Sequence, residues 1–282
     1  PVTMLVMPGR VHEEAAALPR FMPGAPDEDV DDTPALERPA DLLFDNGLGG
    51  FTTDGREYVI HLSPGDTTPA PWCNVVANAE FGTLVTESGG GFTWAGNSGE
   101  HRLTPWTNDP VSDPPGEAIY VRDEETAAVW TPTPQPAGAG GAHQIRYGAG
   151  YARWRSHSHG LSQDLLVFVA PDEPVKIIRF HVRNHRRRPR RLTVTYYAEW
   201  VLGASPRQTN GALVTEYEAS QRAIFARNPW HAELANRVAF LTANRNPHGI
   251  TADRTEFIGR EGTLRRPAAR ERWGLTGHVQ PG

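Results

Sequence analysis

The chain has 282 residues, 38% of them hydrophobic and 22% charged, enough to bury one large core or two modest ones. Its formal net charge of −5, with both signs mixed along the chain, gives no basic field for nucleic acid and no polybasic anchor for a membrane surface. A single cysteine, Cys73, excludes an internal disulfide and a cysteine-rich metal site and fits a reducing compartment.

Residues 1 to 40 open without the apolar run of a signal peptide and continue into MPGAPDEDVDDTPALERP, rich in Pro and Asp. They read as a linker or poorly ordered arm, with a short helix at Val11–Leu18 that would need docking to persist. The folded part is expected from Asp41. NGLGGF, at Asn46 to Phe51, leads into a strand-like run and not a helix, so it reads as a tight turn with close backbone approach, not a phosphate cradle.

From there, β-rich runs bounded by Gly, Pro, Asn and Asp recur about every ten residues. They are Arg56–Leu62, Phe81–Thr86, Ala118–Arg122 and Ala128–Trp130, then the longer Leu161–Ala170, Val175–Asn184 and Arg191–Leu202. Ala212–Glu218, Ala223–Ala226 and Val238–Thr242 follow. In VKIIRFHV the alternation sets Val175, Ile177, Arg179 and His181 on one face and Lys176, Ile178, Phe180 and Val182 on the other, with both faces expected to be partly covered. No helical period is sustained after Asp41 and no internal repeat is evident, so the chain reads as all-β with few short helices. With no run of about 18 apolar residues, it is expected to be a soluble, cytoplasmic domain.

Standard signatures are absent: no Walker loop, no HExxH, no EF-hand and no G-x-S-x-G elbow. His157 and His159 alternate in SHSHG, but zinc asks for three or four protein ligands, so neither metal nor cofactor is expected. Glu199, inside the apolar AEWVLG, is an acid candidate if burial raises its pKa and a structural ion if an arginine meets it. HRRRPRR, at His185 to Arg191, reads as a solvated basic hairpin tip.

Two proline-fixed stretches stand out. TTPAPWCNVVANAEFG carries Trp72 with Asn74 and Asn78, and HRLTPWTNDPVSDPPGE carries Trp106 with Asn108 and Asp109. Aromatic faces beside amides suit the reading of sugar hydroxyls, and a tryptophan pinning its own loop from within is the alternative for each. The chain holds eight tryptophans, so both uses have material.

These stretches, with DNGLGGFTTDGREYVI, RYGAGYARW, SHGLS, VTYYAEWVLG, ARNPW and DRTEFIGREGTLRRP, occur in an order that resembles the N-terminal β-sandwich region of glycoside hydrolase family 94, from about Asp41 to Arg266. Within the family, DPVSDPPGE and DRTEF lean toward the C-terminal part of cyclic β-1,2-glucan synthases. The resemblance implies an antiparallel β-supersandwich of two large sheets, galactose-mutarotase-like, over residues 41–270. It also implies that 271–282 begin a linker to an (α/α)6 catalytic barrel outside this fragment. The family's general acid and phosphate pocket lie in that barrel, so the resemblance carries no catalytic residue and no cofactor onto this chain. It places Arg207 and Gln208, in ASPRQTNG, against a glucosyl acceptor, a guanidinium fork and an amide suiting paired hydroxyls.

The expected substrate-binding set is thus Arg207, Gln208, Trp72, Asn74, Trp106 and Asn108. The expected partners are a β-glucan or gluco-oligosaccharide, the chain's own barrel and, in the manner of the family phosphorylases, a second copy. The parent protein is expected to be a glycosyltransferase or glycoside phosphorylase, for the synthase branch at the bacterial inner membrane with this region on the cytoplasmic side. Asp253, Arg254 and Glu256 in DRTEF read as a structural charge and hydrogen-bond network. Two readings compete: a self-sufficient mutarotase-like enzyme using His159 and Glu199, and a purely structural domain in which Trp72, Trp106 and Trp230 are all buried.

Overall fold

Short β-rich runs between turn residues recur along the chain, and the backbone follows them into strands. The computed structural model describes residues 2–7, 33–209, 211–272 and 274–277. Its strands are β1 (Val2–Met7), β2 (Gly49–Phe51), β3 (Glu57–Leu62), β4 (Cys73–Ala77), β5 (Phe81–Thr86), β6 (Gly91–Ala95), β7 (Glu117–Asp123), β8 (Val129–Trp130) and β9 (His143–Gly148). They continue as β10 (Tyr151–Ser158), β11 (Leu161–Val169), β12 (Lys176–Asn184), β13 (Leu192–Glu199), β14 (Val214–Glu218), β15 (Ala223–Arg227), β16 (Ala239–Thr242) and β17 (Pro247–Thr251). Two short α-helices, α1 (Pro206–Thr209) and α2 (Arg254–Ile258), interrupt the all-β pattern among the described residues.

Six strands pair antiparallel in the order β12-β11-β10-β9-β3-β2, and five form the sheet β17-β1-β13-β7-β8. Two three-stranded sheets, β14-β15-β16 and β4-β5-β6, flank them. The supersandwich has the two large sheets that the resemblance implied, with two small ones added. Its parallel pairings are made by β1, which lies between β13 and β17. That strand falls within the segment read as an arm: VTMLVM has the apolar, β-branched content a strand needs, and the sheet supplies its partners. The helix expected at Val11–Leu18 lies outside the described residues.

Strand β11 shows how the core is built, with Leu161, Gln163, Leu165, Val167 and Val169 all buried on one face. Leu165 and Val167 cluster with Ile119 of β7 and Val194 and Tyr196 of β13 across the main interface, Leu161 with Val121 and Trp130, and Val169 with Trp200 and Leu202. Burial of each such aliphatic side chain stabilises by about 1.5–3 kcal/mol. The opposite face of the five-stranded sheet, with Tyr120 and Tyr197, is capped by Phe257 and Ile258 of α2. A separate cluster of Trp200, Leu202, Leu213, Ile224 and Val76 ties the two small sheets to the end of β13.

Three sequence expectations are corrected. Strand β12 buries only one face: Ile178, Phe180 and Val182 turn inward while Ile177, Arg179 and His181 are exposed, because β12 is an edge strand with a solvated outer face. Cys73–Ala77, read as part of a loop, is β4. The basic hairpin is not merely solvated, because Arg190 is buried against Asp123, which accepts from its Nε at 2.8 Å, and Arg188 pairs with Glu125. Gly49 and Gly50 do permit close backbone approach. A Cβ on Gly49 would stand 2.4 Å from the Val59 carbonyl oxygen, and one on Gly50 2.7 Å from that of Leu43.

Candidate functional site

Arg207 and Gln208 stand on α1, just beyond the end of β13, and both are exposed. Neither side chain bonds to another described residue. The backbone beneath them is fixed. Gly203 exchanges two hydrogen bonds with Arg102 (3.0 and 3.1 Å), and Val201 donates to the Leu103 carbonyl at 2.8 Å. Gly203 is required at this crowded point, since a Cβ would lie 2.8 Å from Thr209 Cγ2 and 3.6 Å from His231 Cδ2. Helix α1 and the loop after β15 therefore abut the same backbone atom.

That loop is anchored by Asn228, buried to 4% exposure, whose Nδ2 donates to the Leu202 carbonyl at 3.2 Å. Its Oδ1 accepts from the Trp230 amide at 3.3 Å. His231 Nδ1 accepts from the amides of Glu233 and Leu234, each at 3.2 Å, which leaves the ring proton of the neutral imidazole on Nε2. Trp230 itself projects into solvent at 82% exposure. Behind the loop, burial holds the His101 imidazole below its usual range, and Arg237 and His231 add to the effect.

Trp106 belongs to the same neighbourhood. Its ring stacks on Phe92 with centroids 5.3 Å apart, the Arg102 guanidinium lies 5.5 Å from the Phe92 centroid, and Arg102 Nη1 donates to the Trp106 carbonyl at 3.3 Å. Trp106 is half-buried, so it is pinned and still presents an edge. Asn108 is exposed with a left-handed φ of 52°, ahead of an Asp109 turn.

Trp72 and Asn74 sit elsewhere, at the start of β4. Trp72 packs edge-on to Tyr58, its amide donates to Glu87 Oε2 at 2.7 Å, and its carbonyl accepts from the Tyr147 hydroxyl at 2.8 Å. Asn74 Nδ2 is taken up by the Tyr151 carbonyl at 2.9 Å. Burial pushes the Glu87 carboxyl above the usual range, against the pull of Thr68 and the Trp72 amide. Cys73 is exposed, with a thiol pKa raised by partial burial and then by Asp113 and Glu87, the reverse of what a reactive thiolate needs.

The remaining candidates do not converge. His159 takes a left-handed φ of 55° in the β10–β11 turn and stacks on Trp130 at 4.1 Å, while His157 Nδ1 faces the Pro34 carbonyl. Glu199 accepts from the Tyr197 hydroxyl at 3.3 Å and pairs with no arginine among the described residues. His159 lies near the Arg190 end of β13 and Glu199 ends that strand, about 20 Å away at strand rise, too far for a shared proton transfer. Asp253 caps α2 through the Thr255 amide at 2.7 Å. Glu256 accepts from Thr251 Oγ1 and from the amide and hydroxyl of Thr276. The DRTEF network is thus one of hydrogen bonds, and Arg254 takes no part in it.

Sequence reasoning missed the polar junction at the sandwich centre. Lys176 of β12 pairs with Glu117 of β7 and donates to Thr93 Oγ1 of β6 at 2.6 Å. Glu117 also accepts from Tyr196 of β13, Thr93 and Thr104. Burial pushes the Glu117 carboxyl up, and Lys176 with the hydroxyls outweighs it, leaving the group below the usual range. The adjacent cavity, about 70 Å³, and one of about 40 Å³ beside Tyr120 have room for a few waters and not for a sugar ring.

The family model described as "Glycosyl hydrolase 94, supersandwich domain" matches residues 56–282. The chain belongs to glycoside hydrolase family 94. Within this family, it is 41% identical over 230 residues, 81% of the chain, to the cyclic β-(1,2)-glucan synthase NdvB of Rhizobium meliloti (strain 1021). It is 30% identical over 54% of its length to an N,N'-diacetylchitobiose phosphorylase of Vibrio furnissii. It is 29% identical over 53% to a 3-O-β-D-glucopyranosyl-β-D-glucuronide phosphorylase of Paenibacillus borealis. The chain spans 8% of the synthase's length and 19% and 18% of the two phosphorylases. In this supersandwich domain, no described helix is long and apolar enough to cross a membrane.

The family-94 domain thus brings Arg207, Gln208 and the Trp106 loop to one end of β13 and leaves Trp72 and Asn74 on a separate anchor. Asn228 and Trp230, which complete that end, lie in the ARNPW motif. The motif marked the family resemblance without revealing which of its residues is buried and which exposed.

Proposed function

We propose that this domain is the substrate-facing, non-catalytic module of a carbohydrate-active enzyme that transfers or phosphorolyses β-linked glucosyl units, of the cyclic β-1,2-glucan synthase type. One observation carries the reading: Arg207 and Gln208 are exposed and unengaged on a backbone fixed at Gly203 by two hydrogen bonds to Arg102. Donors held on rigid backbone lose little freedom on binding, and a fork beside an amide matches vicinal hydroxyls. Trp106 and Asn108 border the same end of β13, and the names of the family relatives point to glycosidic substrates. The catalytic groups belong to the parent enzyme's barrel, which this face addresses on the cytoplasmic side of the inner membrane, with a second copy as a further neighbour. Trp72, bonded through its main-chain amide and carbonyl, and Asn74, whose Nδ2 donates to the Tyr151 carbonyl, are assigned to holding β4.

The test is calorimetric titration with linear β-1,2-gluco-oligosaccharides, alongside assays for released reducing sugar and glucose 1-phosphate. Binding without turnover, lost in an Arg207→Ala/Gln208→Ala double variant, is the expected result. Turnover by the isolated domain would replace the proposal with a self-sufficient enzyme.

A further inference from the structure

Trp230, at the same end of β13, has no role in the binding set above. Among the described residues Trp230 is the one exposed tryptophan, at 82%. An indole in water normally reflects a disordered tip, yet the backbone here is held on both sides. Asn228 is buried and spans from the Leu202 carbonyl to the Trp230 amide, the His231 amide donates to the Asn228 carbonyl at 3.2 Å, and Pro229 fixes the intervening φ. His231 touches the position where a Gly203 side chain would stand, as does Thr209 of α1. The loop presenting Trp230 and the helix presenting Arg207 and Gln208 are therefore seated on one residue.

We infer that Trp230 is a stacking platform for a gluco-configured ring of a β-linked oligosaccharide, held beside the Arg207–Gln208 pair by Asn228 as a positioning residue. The inference rests on the sugar-facing reading above. Its chemistry is that of the ring: with all hydroxyls equatorial, a β-glucosyl unit turns axial C–H groups to both faces and can lie flat on an indole. The equatorial hydroxyls then point sideways, toward donors such as a guanidinium and an amide. A galacto-configured ring, with one axial hydroxyl, loses one of those faces. A ring with two rotatable side-chain bonds on anchored backbone surrenders little entropy on contact.

The experiment is calorimetry of the full chain with linear β-1,2-gluco-oligosaccharides and, as the contrast, β-1,4-galacto-oligosaccharides. Trp230→Ala should weaken the gluco-ligand by about tenfold or more, and Trp230→Phe, which keeps a ring, by about threefold or less. Melting temperature should be unchanged in both, since the side chain packs on little. In the wild type, bound ligand should protect one tryptophan from acrylamide quenching, and this protection should vanish in Trp230→Phe. If the wild type binds and Trp230→Ala binds equally well, this inference falls while the sugar-facing reading stands. If the wild type binds no oligosaccharide, both fall. Equal affinity for galacto-configured ligands, or a wild-type dimer that Trp230→Ala dissolves in sedimentation, would also overturn it, the latter in favour of a contact between copies.

Discussion

The junction around Lys176 and the rim around Trp230 use similar side chains, a cation, amides or hydroxyls and an aromatic ring, in opposite ways. At the junction every polar atom of Glu117 is taken: by Lys176, Tyr196, Thr93 and Thr104, drawn from three sheets and one loop. At the rim the backbone is equally fixed, through Asn228 and Gly203, but Arg207, Gln208 and Trp230 are left with nothing to hold. Satisfied polar groups in a buried interior specify one arrangement of the sheets. Unsatisfied ones on rigid backbone are available to a ligand.

The sharpest way to break this contrast is Lys176→Met, which keeps the aliphatic stem and strands the Glu117 charge. It should cost about 3–5 kcal/mol, read as a lower denaturant midpoint at unchanged slope. Adding Glu117→Gln should recover part of the loss. A single-variant cost below about 1 kcal/mol would mean that the junction does not hold the sheets.

Acid should reach the core by another route. Burial holds the His143 imidazole down at about 4, against its ordinary 6.5, with its Nδ1 facing the Gly141 carbonyl at 3.0 Å. The unfolded chain therefore binds the proton first. Stability contributed by neutral His143 is complete above pH 6.5 and is lost as pH falls toward 4, on the order of 3 kcal/mol in all. His143→Gln should flatten the pH–stability curve in that window, and an unchanged slope would assign it to other groups such as His61 and His101.

Glu256→Ala removes the acceptor of Thr251 and Thr276 and should cost about 2 kcal/mol by urea denaturation, with earlier amide exchange in α2. At the far end of the scale, Arg207→Ala and Trp230→Ala should each shift stability by less than about 0.5 kcal/mol. A larger shift would show that the rim carries structure and would blur the contrast.

Strand positions were legible wherever β-branched and aromatic residues gather between turn residues, as in Phe81–Thr86, which is β5 to the residue. Gln144, Ser156 and Gln163 were harder: polar side chains buried in β9, β10 and β11 break the alternation, and only partners far along the chain explain them. Trp130 Nε1, for example, donates to Gln163 at 2.8 Å. Alternation did put Lys176 on the inward face of β12, but Glu117 lies in another sheet, and no local pattern joins the two. The family motifs singled out Arg207 and Gln208, which stand exposed on α1. The exposure of Trp230 depends on Asn228 finding the Leu202 carbonyl, a long-range hydrogen bond that composition and spacing do not encode.

Two of the edge strands, β12 and β16, also set how the domain behaves in company. β12 closes one edge of the six-stranded sheet with Arg179, His181 and Arg183 on its solvent face, so a strand from a second molecule would meet like charge there. β16 closes a three-stranded sheet with Phe240 at 45% exposure, next to Val238 at 55%. Colloidal behaviour is therefore lopsided. Concentrated or heated solutions should self-associate through the β16 edge, and a lysine in place of Phe240 would raise the concentration at which they cloud.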